Sequence, residues 1–328
     1  MILREIATGV VAAPMAGGTS TPELVAAVGE AGGFGFLAGG YLTTEQLAAQ
    51  VAEVWDLSSR PFGVNLFVPD TANRYAVRPG GLVGADRATA VSAYRESLVA
   101  DAAALGVEPG EPRPGDTDDW ERKVDLVVRE RVAAVSFTFG LPSSAVLSEL
   151  RRAGIVSVVT VTDVDETRSA LEAGVDGLCV QGSEAGGHRG TLDPLAEPDE
   201  TDLVELVEKV RRAASELGRA DVAIVAAGGI ATAERAEAVR SAGADAVQVG
   251  TALLLTPEAG TGLAYRRALA DAAYDSTRVT RAFSGRLGRC LETDFVRRHD
   301  GDAPAAYPEV HHVTVPLRRA SALSLIHI

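Results

Sequence analysis

The stretch EAGVDGLCVQGSEAGGHRG, Glu172–Gly190, carries one complete unit of a fold. An alanine-bearing helix end stops at Gly174, because glycine closes a helix in the left-handed conformation without steric penalty. The apolar run Gly177–Val180 then reads as a strand buried on both faces. A loop with four glycines, one carboxylate, one imidazole and one guanidinium follows it. The same order of helix end, Ala-Gly and strand recurs at EAGGFGFL (Glu30–Leu37), RRAGIVSVV (Arg151–Val159) and SAGADAVQV (Ser241–Val249). Further apolar runs lie at Val10–Ala13, Phe62–Asn65, Val132–Phe137 and Ala223–Ala227, which brings the strand count to eight. Helix starts at Thr21, Thr43, Asp163 and Thr232 pair a capping residue with an early acid. Eight alternating β/α units predict the α/β class and a (β/α)8 TIM barrel, with a doubly wound sheet as the competing topology.

Outward from that repeat, the 328 residues are 46% hydrophobic and 23% charged, enough for a large core. The formal charge of −14 argues against nucleic-acid and anionic-membrane partners. No apolar run reaches the roughly 18 residues of a membrane span, and two cysteines make neither a disulfide framework nor a zinc spacing. These features predict a cytoplasmic, reduced protein without metal. The barrel is expected over residues 1–255 and a smaller, mainly helical, substrate-covering domain over 256–322. Gly106–Asp119 reads as an exposed excursion flanked by helices. The final LSLIHI, residues 323–328, matches the translation of a common sequencing adapter. It is set aside as non-native, so His327 receives no chemical role. A native final helical segment is expected to be lost with it, at a cost in stability.

Barrel enzymes place their chemistry on the loops that follow the strands. After the seventh and eighth runs stand Gly228-Gly229-Ile230 and Gly250-Thr251, suited to phosphate through free backbone N–H groups and the helix start at Thr232. After the first run, Pro14, Met15 and Ala16 suit a flat aromatic ligand lying on backbone. Asn65 and Gln181 end the third and sixth runs as amides able to meet a polar ring edge. Together they point to a ligand with a phosphate at one end and a polar heterocycle over the barrel centre. His188, between glycine and arginine in its loop, is the candidate catalytic group, since its unperturbed pKa is near neutral. Glu184 is read as a loop-ordering acid, Arg189 as a loop salt bridge and Cys179 as packing. No Ser-His-Asp order or strand-end carboxylate pair supports a hydrolase.

In this order the segments APMAGG, PFGVNLF, SFTFGLP, QGSEAGGHRG, AAGGI, VQVGTALL and FSGRLGR resemble the nitronate monooxygenase family, from about Val10 to Ala320. The resemblance implies FMN with its phosphate on Gly228, Gly229, Gly250 and Thr251. Its ring would lie near Pro14, Met15, Ala16, Asn65, Gln181, Gly182 and Gly187. It also implies His188 as the active-site histidine and Thr138 and Ser284 at the substrate pocket. The implied reaction oxidises an alkyl nitronate such as propionate 3-nitronate with O2, giving a carbonyl compound and nitrite or nitrate. Thr138 departs from the family, many of whose members carry a second histidine there, and FSGRLGR departs from its usual wording. Two other readings stay open at this point: an FMN-dependent NAD(P)H:quinone or enoyl-acyl-carrier reductase, and a non-redox phosphate-binding isomerase or aldolase. The oligomeric state is open as well.

Overall fold

The computed structural model describes residues 9–69, 82–197 and 199–321. Strand β1 (Val10–Ala12) leads through helix α1 (Pro22–Glu30) to β2 (Phe34–Ala38), and α2 (Thr44–Leu57) leads to β3 (Gly63–Phe67). Helices α3 (Gly84–Ser97), α4 (Val99–Ala104) and α5 (Trp120–Arg129) precede β4 (Ala134–Thr138). Then come α6 (Ser144–Ala153), β5 (Val156–Val161), α7 (Val164–Ala173) and β6 (Gly177–Gln181). A two-residue strand, β7 (Gly187–His188), precedes α8 (Leu203–Glu216), β8 (Ala223–Ala227), α9 (Ala233–Ser241) and β9 (Ala246–Val249). Strands β1 to β6, β8 and β9 close into one parallel barrel, in which β1 pairs with both β2 and β9. This is the expected (β/α)8 architecture, and each of its strands falls within one residue or two of an apolar run read from sequence.

Alternation along the strands divides the core into two layers. Leu37, Val64, Val135, Val159 and Val180 pack outward against the helices, while Val11, Phe34, Phe36, Ala134 and Val225 fill the interior. Gly63 belongs to this interior packing, since a β-carbon there would lie 2.3 Å from the Phe36 ring. The expected caps form: Thr21, Thr43, Asp163 and Thr232 each accept a backbone N–H of the first turn. Gly154 and Gly174 end α6 and α7 at φ +74° and +86°.

After β9 the chain forms α10 (Leu263–Ala270), β10 (Thr277–Thr280), β11 (Gly288–Leu291), α11 (Asp294–His299) and α12 (Glu309–Ala320). This segment was expected to be mainly helical, yet β10 and β11 join β7 in a three-stranded antiparallel sheet, with Gly288 opposite His188. Sheet pairing 100 residues apart leaves no local periodicity to read. Val310, Val313 and Leu317 of α12 form a separate core with Val91, Tyr94 and Leu98 from α3 and its C-terminus. The 106–119 stretch lies between helices, as expected, but it is docked as well as exposed. Gly110 N donates to Val313 O at 2.8 Å, Asp118 accepts from Tyr41 N at 3.0 Å, and Asp118 pairs with buried Lys123 at 2.8 Å. The LSLIHI tail lies outside the described residues. Among those residues, no helix is long and apolar enough to cross a membrane.

Candidate active site

A cavity of about 660 Å³ opens at the C-terminal ends of the barrel strands. Loops after β1, β3, β4, β6, β8 and β9 line it, and Arg289, Cys290 and Leu291 of β11 close one side. It gathers Pro14, Met15, Ala16, Asn65, Thr138, Gln181, Gly187, His188, Gly228, Gly229, Gly250 and Thr251 from the sequence reading. Gly182 and Ser284 stand outside the lining.

One end is made of backbone. Gly228 and Gly229 have φ of +101° and +66°, and neither Gly229 N–H nor Thr251 N–H donates to a backbone carbonyl among the described residues. Helix α9 starts three residues beyond, capped by Thr232, and adds its positive end. These donors fit a phosphate. The glycines also answer a second demand: a β-carbon on Gly229 would lie 2.5 Å from Glu184 Oε2, and one on Gly228 3.0 Å from Ala185. The loop bearing His188 is thus docked on the glycine turn, and Arg235 ties Glu184 (3.2 Å) to Asp202 (2.7 Å).

In the middle, Asn65 Nδ2 donates to Ser136 O (3.2 Å), Ser136 Oγ (2.9 Å) and Thr138 Oγ1 (3.0 Å). With its amide nitrogen so held, Asn65 presents its carbonyl oxygen as the group left for a ligand. Gln181 also lines the cavity, and its amide is bonded within its own loop. Its Nε2 donates to His188 O at 2.9 Å and its Oε1 accepts from Gly190 N at 2.8 Å. Both ends of the amide therefore clamp the histidine loop. Gly182 lies under Leu203, whose Cβ is 3.0 Å from where a β-carbon would stand, and its N–H donates to Ala227 O at 2.9 Å. Among the described residues Arg189 forms no salt bridge. It is 1% exposed and its Nη1 donates to Gly182 O, locking the same loop from behind. Cys179 lines the cavity, and burial pushes its thiol up to about 12, so it stays an unreactive thiol.

The other end is made of side chains. His188 Nε2 lies 2.5 Å from Ser284 Oγ, which also accepts from Arg286 N at 3.2 Å. Nδ1 of His188 is buried with no hydrogen-bond partner among the described residues. Phe139 stands perpendicular to the imidazole at 5.4 Å, with Arg286 Cζ 4.2 Å from the Phe139 ring centre. Burial above all, then the positive charges of Arg286 and Arg318, pushes His188 down to about 3. At neutral pH it is an uncharged imidazole, able to accept a proton but not to pair as a cation. Phe139, Arg286 and Arg318 were not singled out by sequence reasoning, although FSGRLGR contains Arg286.

The remaining histidines serve α12 and α11. His311 stacks on Tyr41 at 3.8 Å, His312 meets Asp116 at 2.7 Å, and His299 meets Asp101 at 2.6 Å. Among the described residues no cluster of three metal-ligating side chains occurs.

Barrel, cavity and convergent loops define the class: a TIM-barrel enzyme with its ligand chamber at the strand ends. The family model described as nitronate monooxygenase matches residues 2–325. A probable nitronate monooxygenase of Staphylococcus aureus is 32% identical over 317 residues, covering 95% of this chain and 84% of that relative. The solved nitroalkane oxidase of Streptomyces ansochromogenes is similar at a TM-score of 0.86 and 42% identity, covering 99% of this chain and 88% of that one. FabK from Thermotoga maritima is similar at a TM-score of 0.65 and 27% identity, covering 90% and 75%. The chain belongs to the nitronate monooxygenase family of flavin-dependent oxidoreductases.

Proposed function

We propose that this protein binds FMN and uses O2 to oxidise small alkyl nitronates, or the nitroalkanes from which they form, releasing nitrite or nitrate and a carbonyl compound. The observation that carries the reading is the half-buried His188, uncharged at neutral pH, whose buried Nδ1 has no hydrogen-bond partner among the described residues, on the wall of a cavity whose far end offers backbone donors. The free N–H groups of Gly229 and Thr251 would hold the phosphate, and Met15, Ala16 and the Asn65 carbonyl would border the ring. Bound FMN would supply the redox chemistry, taking electrons from the substrate and delivering them to O2.

The protein's own part is charge and proton handling. For a neutral nitroalkane, the imidazole removes the proton α to the nitro group. The Arg286 and Arg318 charges that disfavour imidazolium in the free enzyme favour the nitronate anion formed beside them. For substrate supplied as nitronate, that field holds the anion and no proton need move. Phe139, 2% exposed, adds an apolar ring to the chamber wall beside the imidazole. Aerobic incubation of the flavin-loaded protein with propionate 3-nitronate, scored by nitrite, tests the reading. Release of nitrite supports it, and a flavin-loaded protein that releases none rejects it. Anaerobic mixing with NADH checks the reductase alternative, and no bleaching of the flavin is expected.

A further inference from the structure

The loop after β4 holds a backbone outlier beside the imidazole. Phe139 sits at φ +75°, in the left-handed region that bulky residues rarely adopt. The next residue is Gly140, which would take that angle without strain, so the strained position is not the one the sequence relieves with glycine. Strain of this kind persists where the surroundings over-determine it, and it concentrates at functional sites.

The conformation places a ring that is 2% exposed on the cavity wall. The ring stands at 86° to the His188 imidazole, and Phe67 at 4.6 Å and Tyr307 at 5.5 Å brace it. Its own carbonyl accepts from Arg286 Nη2 at 3.3 Å, while Arg286 Nη1 donates to Thr191 O at 3.0 Å. One arginine thus holds the Phe139 backbone, lies over its ring and pins the strand-to-helix loop just beyond His188. Ser284, two residues before that arginine, meets Nε2.

We propose that Phe139 is a positioning residue for His188: its ring, held by a strained backbone, fixes the direction in which the imidazole meets substrate and keeps water from it. This rests on the reading of His188 as the proton acceptor. A base works only within hydrogen-bond reach and correct alignment, so an unsupported ring costs rate without loss of binding. The other groups facing the imidazole are Ser284, Arg286, Arg318 and His311. All of them remain in the variants below.

Two substitutions separate positioning from packing. Phe139→Leu keeps most of the volume and the left-handed strain, while Phe139→Gly removes the ring and the strain together. Flavin content and melting temperature establish that each is folded. His188 is then titrated by NMR in histidine-labelled protein, its signal assigned by loss in His188→Gln. In both variants the His188 midpoint should rise by about one pH unit or more, as water reaches the ring. On a neutral nitroalkane kcat should fall about tenfold or more, with KM within about threefold, and Phe139→Tyr should restore both. A titration and kcat unmoved in the Leu variant, with only the melting temperature changed, would make Phe139 a packing residue and overturn the proposal. A parent that releases no nitrite, with the titration shift still present, would sink the functional reading and leave the positioning role standing.

Discussion

One end of the cavity is lined by main chain: the Gly228-Gly229 turn and Gly250-Thr251, with the start of α9 close by. The other is made of side chains, with His188 beside Ser284 and Phe139 and in the field of Arg286 and Arg318. The first end is assembled from two neighbouring β/α loops, each built within a few residues. The second draws on Phe139, about 50 residues before the histidine, and on Ser284, Arg286 and Arg318, about 100 to 130 residues after it. The difference is one of what can vary: a backbone site tolerates changes that keep glycine geometry, whereas a side-chain site can be retuned one residue at a time. The two ends should therefore fail independently, one in cofactor affinity and the other in turnover.

Gly229→Val should give the largest separation. It forces a β-branched residue into φ +66° and into the Glu184 side chain, so the FMN dissociation constant should rise by about a hundredfold or more. Equilibrium dialysis or quenching of flavin fluorescence reads it, and an unchanged constant would break the assignment of that end to phosphate. Ser284→Ala should leave FMN binding alone and lower kcat roughly tenfold, because it removes the partner of His188 Nε2. Loss of flavin in that variant would show the ends to be one unit.

The smallest effect is in stability against pH. His188 is depressed in the folded state, so below about 6.5 the unfolded chain takes up a proton that the folded chain refuses. Its contribution is therefore lost progressively as pH falls from about 6.5 towards 3. Asp118 and Glu166, raised by burial to about 6, act in the opposite sense over the same range. Melting temperature should consequently fall less between pH 7 and 5 in His188→Gln than in the parent, and equal slopes would contradict an imidazole held neutral in the folded state.

The same contrast explains what could be read from sequence. The barrel was legible because its strands are short apolar runs, its helices start at Thr21, Thr43, Asp163 and Thr232, and two helices stop at Gly154 and Gly174. The glycine turns were legible because their position after the last strands is fixed by the fold. His188 stood out as an imidazole among glycines, but its environment did not. The Ser284 contact, the β7–β11 pairing and the Arg286 bonds join residues about 100 or more apart, and no local period encodes them. Gln181 lines the cavity and also binds the histidine loop, a pairing that sequence alone does not show, since an amide at a strand end can serve ligand or loop equally well. Arg189 was expected at a salt bridge and is instead bound to the Gly182 carbonyl, a choice made by burial.

The claim that His188 works as an uncharged proton acceptor is tested most directly by one comparison: nitrite release by parent and His188→Ala, each on a neutral nitroalkane and on its preformed nitronate. The variant should lose about 10²–10⁴-fold on the nitroalkane and far less on the nitronate, which has no α-proton to give up. Equal losses on the two substrates, or full activity of the variant on the nitroalkane, would contradict it.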